Sequence, residues 1–146
     1  DISNVVPGGA FFTLDFRQYE DVLYEEGKNI VANLVREVSE EHSLEYSLTQ
    51  TVDVKPMRFD PGMTKLVERK SQELGLSHKL MHSGAGHDAQ FMSLICPTAL
   101  IFVPSIGGRS HCPEESTLKT DCINGANVLL NCVMELLMGF DPTITT

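Results

Sequence analysis

Two histidines lie in glycine-rich turns on either side of one apolar segment, and both could do chemistry. His87 follows Ser-Gly-Ala-Gly at 83–86, and His111 follows Gly-Gly-Arg-Ser at 107–110. Imidazole is the commonest neutral metal ligand and a general acid or base near neutral pH. Two such turns at neighbouring strand ends would face the edge where open α/β sheets bind ligands. The pattern therefore predicts a functional site within 83–115.

His111 is predicted to be a metal ligand. A lone histidine in a loop is usually solvated, but Gly107, Gly108 and Pro113 shape this turn, and acids flank it. Glu115 is expected to hold the loop in place by a hydrogen bond. The other acidic pairs of the chain indicate charged helix faces rather than general bases.

His87 is predicted to lie at the N-terminus of a short helix. Gly84 and Gly86 precede it, and their backbone N–H groups would suit an anion or an oxyanion. Asp88 is expected to cap that helix, since aspartate is a common N-cap residue.

Arg17 and Asn4 are weaker candidates, and each has two interpretations. Arg17 lies at the end of a predicted strand beside Asp15. It could form a surface ion pair of little energetic consequence, or a bidentate clamp for a carboxylate, which suits a guanidinium better than an ammonium. Asn4 could bind a ligand or only satisfy the turn that follows it.

The charge of the chain excludes several classes of partner. Its 146 residues carry a net charge of -9 at pH 7, whereas nucleic acids and anionic membranes select basic surfaces. No apolar run approaches the roughly 20 residues that a membrane-spanning helix needs. The four cysteines contain no Cys-x-x-Cys pair, which argues against a structural zinc site. Their positions within a predicted helix and beside an apolar strand favour reduced, buried thiols in a cytoplasmic protein. These cysteines are Cys96, Cys112, Cys122 and Cys132.

Hydrophobic periodicity predicts an α/β fold in two lobes. Alternation or apolar runs predict strands at 10–17, 44–54, 79–82 and 98–103. Helical spacing and capping signals predict helices at 19–42, 61–74, 87–95 and 120–138. The first strand–helix–strand set is half of a split α+β layer, since two strands are marginal alone. The second set has the βαβ rhythm of a buried parallel sheet.

Several motifs together resemble one known family. They are Asn-Val-Val-Pro-Gly at 4–8, Leu-Asp-Phe-Arg at 14–17, Ser-Gly-Ala-Gly-His-Asp-Ala at 83–89 and Phe-Val-Pro-Ser-Ile-Gly-Gly-Arg-Ser-His-Cys-Pro-Glu-Glu at 102–115. The chain resembles the C-terminal part of the amidase/hydantoinase/carbamoylase family. That family includes N-carbamoyl-L-amino-acid hydrolases, allantoate amidohydrolases and ureidoglycolate-type hydrolases, within an aminoacylase-like metallopeptidase clan.

The resemblance implies a fold and an assembly. Residues 58–146 would be the C-terminal part of an aminopeptidase-like catalytic domain that binds two zinc or manganese ions. Residues 1–57 would be the second half of an α+β, ferredoxin-like lid, through which such enzymes form homodimers. The implied substrate is a small amino-acid derivative with a linear C–N amide or carbamoyl bond.

The resemblance also assigns roles. His111 would be a metal ligand, Gly86 and His87 would contact the substrate, and His87 would stabilise the oxyanion. Asn4 and Arg17 would contact the substrate from the lid, with Arg17 binding its carboxylate.

The family's other metal ligands and its Glu-Glu general base have no counterpart in this sequence. The 146-residue chain alone is therefore expected to be inactive, with His111 as the one metal ligand that it supplies. Two alternatives stay open: an aminoacylase or dipeptidase of the same clan, and a catalytically inert fragment or interaction module.

Overall fold

The computed structural model describes Asn4 and residues 6–139. The chain divides into two compact units, unit 1 at 1–56 and unit 2 at 57–146. Among the described residues, no helix combines the length and the apolar character needed to span a membrane.

Unit 1 contains one long helix, α1 (Asp21–Glu41), which confirms the first predicted helix. Its C-terminus closes with two backbone bonds: Leu44 donates to Ser39 O at 2.8 Å, and Ser43 donates to Glu40 O at 3.2 Å. This is the Schellman arrangement, in which the residue after the cap is left-handed. Ser43 takes that conformation with φ 52°, which glycine would adopt without strain.

Side-chain contacts link α1 to the segments that precede and follow it. The Tyr24 hydroxyl donates to Asp53 Oδ1 at 2.8 Å, and Lys28 Nζ donates to Asp53 Oδ2 at 3.0 Å. These two bonds lower the pKa of the Asp53 carboxyl. Phe16 stacks on the Tyr24 ring with centroids 6.2 Å apart. Gly27 makes room, since a Cβ there would overlap the Phe16 ring.

Unit 2 begins with α2 (Pro61–Glu73), whose ends follow the predicted local signals. Asp60 Oδ1 accepts the Met63 N–H at 2.8 Å and caps the helix, while Pro61 occupies its first position. At the other end Gly75 adopts φ 68° and Leu76 donates to Ser71 O at 2.9 Å. Local signals at Asp60, Pro61 and Gly75 therefore set both ends of α2.

The core of unit 2 lies between α2 and α4 (Lys119–Leu137). Leu66 from α2 is 1% exposed and meets Val128 and Cys132 from α4. A partly buried shell packs around them: Met63, Val67, Leu76, Ile101 and Leu136. Gly125 lets α4 approach the segment 98–103, because a Cβ at this position would lie 2.5 Å from Val103 Cγ1.

An ionic cluster ties the same two helices together at the edge of this core. Glu135 of α4 accepts from Arg69 Nη1 at 3.0 Å and pairs with Lys70 Nζ at 2.7 Å. Lys70 also bonds Glu73 at 2.7 Å. Hydrogen bonds from Arg69, then from Lys70, lower the pKa of Glu135 to about 2.

The predicted strands are not formed in the described part of the chain. All four segments have no regular secondary structure. The face of the first segment that was predicted to line a sheet core is exposed, with Phe12 78% and Leu14 65% exposed. A strand depends on inter-strand hydrogen bonds, and the described residues place no second strand beside any of them. The helices of the predicted α/β class are therefore confirmed, whereas the strand predictions are wrong for the described residues.

The expectation of buried thiols is only partly correct. All four cysteines are free, but only Cys132 is buried, whereas Cys96 and Cys122 are exposed.

Candidate functional site

The loop that carries His111 is closed by bonds across its base. Ser105 Oγ donates to Arg109 O at 2.5 Å, and Ile106 N donates to Ser116 O at 2.8 Å. A short 3-10 turn (Ile106–Gly108) opens the loop, with Gly107 at φ 67°. Gly108 follows at φ 66°, so two successive residues take a conformation that suits glycine.

His111 lies at the tip of this loop in an unusual backbone conformation. Its φ is 58°, which is uncommon for a residue with a side chain. Its N–H donates to Glu115 Oε2 at 2.7 Å, and the Glu115 N–H donates to Cys112 O at 3.0 Å. The predicted bracing of the loop by Glu115 is thus confirmed. The imidazole is exposed and can reach a ligand.

His87 is held from three sides. Its Nε2 lies 2.8 Å from Ser83 Oγ, and its ring meets Phe102 edge-on with centroids 5.3 Å apart. Its backbone N–H donates to Gln90 Oε1 at 3.1 Å. The sequence did not predict the Ser83 contact, although the Ser-x-x-x-His spacing across a glycine turn could have suggested it.

The helix after His87 differs from the prediction in length and in its cap. It is α3 (Asp88–Met92), five residues long, and His87 occupies the N-cap position. The expectation that Asp88 caps this helix is wrong, because Asp88 is its first helical residue. Gly86 lies in the open, since a Cβ there would meet only Gln90 Oε1 at 3.7 Å.

Arg17 lies in unit 1 and forms the surface pair that one interpretation expected. Its Nε donates to Asp15 Oδ1 at 2.9 Å and its Nη2 to Asp15 Oδ2 at 2.6 Å. This bidentate bond lowers the pKa of Asp15. Asn4 is an exposed turn residue of the same unit.

The described residues do not by themselves form a metal site. Nowhere in the described part of the chain do three or more His, Cys, Asp or Glu side chains converge as metal ligands, whereas a catalytic zinc needs about three protein ligands. No hydrogen bond or ring contact of the described residues joins His87 to His111. His111 would contribute a single ligand.

A surface cavity of about 420 Å³ lies elsewhere in unit 2. Arg58, Cys96 and Thr98 are among the residues that line it. None of the predicted site residues does, so this cavity is separate from both histidine turns.

Comparison with known proteins places the chain in a family. The sequence profile described as peptidase family M20/M25/M40 matches residues 4–135. The allantoate amidohydrolase of Escherichia coli (strain K12) is 32% identical over 133 residues, which is 91% of this chain. An N-carbamoyl-L-amino-acid amidohydrolase of Paenarthrobacter aurescens matches at the same identity and the same share of the chain.

The chain is also similar to a solved structure. A hydantoinase/carbamoylase-family amidase from Burkholderia multivorans superimposes with a TM-score of 0.77 at 30% identity, over 81% of this chain and 29% of that one. The chain spans about a third of the length of the curated relatives it matches, since it covers 32% of both amidohydrolases. The resemblance predicted from the sequence motifs is confirmed: the chain belongs to peptidase family M20/M25/M40, among relatives named as amidohydrolases.

Proposed function

We propose that this chain is part of a hydrolase of linear C–N amide or carbamoyl bonds, with an N-carbamoyl-L-amino acid, allantoate or a ureido acid as substrate. The observation that carries the proposal is the match of almost the whole chain to allantoate and N-carbamoyl-L-amino-acid amidohydrolases. Unit 2 would belong to the catalytic domain and unit 1 to the lid. Because only a third of each relative is matched, the remaining groups of the site would come from outside this sequence.

The substrate contacts proposed for this chain follow its side-chain chemistry. Arg17 would bind the substrate carboxylate, since a guanidinium can donate two parallel hydrogen bonds to one carboxylate, as its Nε and Nη2 do to Asp15 here; the substrate would have to replace Asp15 at these two donors. Asn4 would hydrogen-bond the same ligand. Gly86 and His87 would lie against the scissile group, where an imidazole N–H can stabilise a developing oxyanion.

The metal role proposed for this chain is limited to His111. Two divalent ions, zinc or manganese, would be expected in the whole enzyme from the resemblance. The described residues do not fit such a centre alone, so the proposal gives this chain one imidazole–metal bond. The hydrogen bond that the His111 backbone N–H donates to Glu115 supports this, because it fixes the backbone that carries the exposed imidazole.

One alternative concerns the isolated chain. The absence of a three-ligand cluster from the described residues favours a 146-residue chain that is inert by itself. Another concerns the substrate, because the family description names peptidases. An aminoacylase or dipeptidase would cleave N-acyl or peptidyl substrates instead of carbamoyl ones.

The complete enzyme is also proposed to be a cytoplasmic homodimer that assembles through unit 1.

The test is a substrate panel with the complete polypeptide that the gene encodes and with the 146-residue chain. N-carbamoyl-L-amino acids, allantoate and ureidoglycolate are compared with N-acetyl-amino acids and dipeptides, with zinc or manganese added. We expect the complete polypeptide to favour the first group and the 146-residue chain to cleave none. Preference for dipeptides would replace the proposal with the peptidase alternative. Activity of the 146-residue chain would contradict the assignment of missing ligands.

A further inference from the structure

The hydroxyl of Ser105 bonds two backbone carbonyls on opposite sides of the loop that carries His111. Ser105 Oγ donates to Arg109 O at 2.5 Å and to Ser116 O at 3.3 Å. We propose that Ser105 is a positioning residue for His111: its hydroxyl closes the loop 105–116 and fixes the backbone from which the imidazole would reach a metal ion. This inference rests on the proposed function, in which His111 is a metal ligand.

The direction of both Ser105 bonds is fixed by the chemistry of the atoms. A backbone carbonyl oxygen can only accept a hydrogen bond, whereas a serine hydroxyl has one proton to donate. Ser105 therefore shares its proton between Arg109 O and Ser116 O, and the shorter contact is the one to Arg109. Ser105 is partly buried, which limits competition from water for that proton.

The two bonds enclose the part of the loop that contains His111. Arg109 lies two residues before His111, and Ser116 lies five residues after it. A backbone bond reinforces the first of these links, since Gly108 N donates to Ser105 O at 3.0 Å. Ser105 therefore holds the loop through its backbone carbonyl and its side chain together, and only the side chain reaches both ends of the enclosed segment.

The tip of the loop is held by a separate bond. The His111 N–H donates to Glu115 Oε2 at 2.7 Å, and His111 has a φ of 58°. A residue with a side chain keeps such a conformation only where its surroundings enforce it. Because Glu115 lies inside the segment that Ser105 closes, the two contacts together constrain the His111 backbone. A zinc–imidazole bond is about 2.0–2.1 Å long, so a small displacement of this backbone would weaken it.

The test compares Ser105→Thr with Ser105→Val in the complete polypeptide. Both side chains are branched at Cβ and suit the extended backbone of Ser105 (φ -98°, ψ 139°), but only threonine keeps the hydroxyl. We expect calorimetric titration with zinc or manganese to show one ion bound about tenfold more weakly by Ser105→Val, as for other residues that support a metal ligand. The second ion should bind as in the wild type, and Ser105→Thr should bind both ions normally.

Amide hydrogen exchange of the loop gives a second measurement that needs no metal. Peptides that cover 105–116 are followed by mass spectrometry in the metal-free complete polypeptide. We expect this loop to exchange about tenfold faster in Ser105→Val than in Ser105→Thr, as the loss of one hydrogen bond predicts. Thr117→Val is the matched control, because it makes the same change from hydroxyl to methyl just outside the loop. It should change neither metal affinity nor exchange within 105–116.

Equal metal affinity in Ser105→Thr and Ser105→Val would overturn the proposal if the wild type binds metal, and so would equal exchange of the loop. A Ser105→Thr variant that loses the ion would overturn it even if Ser105→Val fails to fold. If the wild type binds no metal while loop exchange differs as expected, the proposed metal role of His111 fails and the role of Ser105 in holding the loop stands.

Discussion

Glu115 Oε2 accepts the backbone N–H of His111 at 2.7 Å, four residues along the same loop. Hydrogen bonds to an ionised carboxylate are stronger than neutral ones, and this bond helps to hold His111 at a φ of 58°. Such conformations persist only where the surroundings enforce them. The loop therefore fixes the backbone position from which the imidazole projects.

Replacing Glu115 with Gln should weaken metal binding and turnover, because both are proposed to depend on the position of His111. An amide in place of the carboxylate weakens the bond, so we expect metal affinity and kcat/KM of the complete polypeptide to fall about tenfold, as for other residues that orient a ligand. Metal titration by calorimetry and steady-state kinetics measure both quantities. Glu114→Gln makes the same charge change one residue away and serves as the control. Equal losses in the two variants would mean that loop charge, not this bond, matters.

Replacing Arg17 with Ala should raise KM for substrates with a carboxylate and leave kcat nearly unchanged, because a guanidinium clamp contributes to binding. Steady-state kinetics with a carboxylate substrate and with its neutral amide analogue give the comparison. Arg17→Lys should not restore KM, since an ammonium has no fork. Stability should change little, because the pair with Asp15 is exposed to solvent.

Arg36→Ala removes a positive charge from the same unit and is the control for the Arg17 variants. If the neutral analogue suffers as much as the carboxylate substrate, Arg17 does not act as a clamp.

Acid should loosen the contact between α2 and α4 through Glu135. Its pKa in the folded chain is about 2, below the ordinary 4.5, so the stabilisation is complete above 4.5 and is lost as the pH falls toward 2. Glu135→Gln should cost about 1 kcal/mol at pH 7 and much less at pH 3. Urea unfolding at the two pH values measures this difference.

The Glu114→Gln variant controls for the loss of one acid elsewhere in unit 2. A Glu135→Gln variant that loses the same free energy at both pH values would show that its contribution is not ionic.

The helices could be predicted from the sequence because their signals are local. Asp60, Pro61 and Gly75 fix the ends of α2 from within the segment itself. The strands could not be predicted in the same way. Alternation of apolar and polar residues indicates which face of a strand each residue would favour, but it does not indicate whether a partner strand lies beside it. Phe12 satisfies the alternation and is nonetheless 78% exposed.

The site was predictable to the same limited extent. The turns around His87 and His111 follow from glycine spacing, and the Glu115 bond spans only four residues. The contact between Phe102 and His87 joins segments 15 residues apart in the sequence, and no local pattern encodes it. The contact between Ser83 and His87 is local, and the Ser-x-x-x-His spacing across a glycine turn could have suggested it.

The four thiols should differ in reactivity. Cys132 is 4% exposed and burial raises its thiol pKa, which leaves less of the reactive thiolate. Cys96 and Cys122 are exposed and Cys112 is intermediate. We expect iodoacetamide to label Cys96 and Cys122 first and Cys132 only after urea is added. Peptide mass spectrometry over a time course identifies the order. Early labelling of Cys132 in the native chain would contradict its place in the α2–α4 core.

The most direct test of the central claim is metal content and turnover of the complete polypeptide with His111 replaced by Ala. The account predicts that one tightly bound divalent ion is lost per chain and that turnover of the preferred carbamoyl or allantoate-type substrate falls nearly to zero. His78→Ala, which removes a histidine outside the proposed site, should keep both. Retention of metal and turnover by His111→Ala would contradict the account.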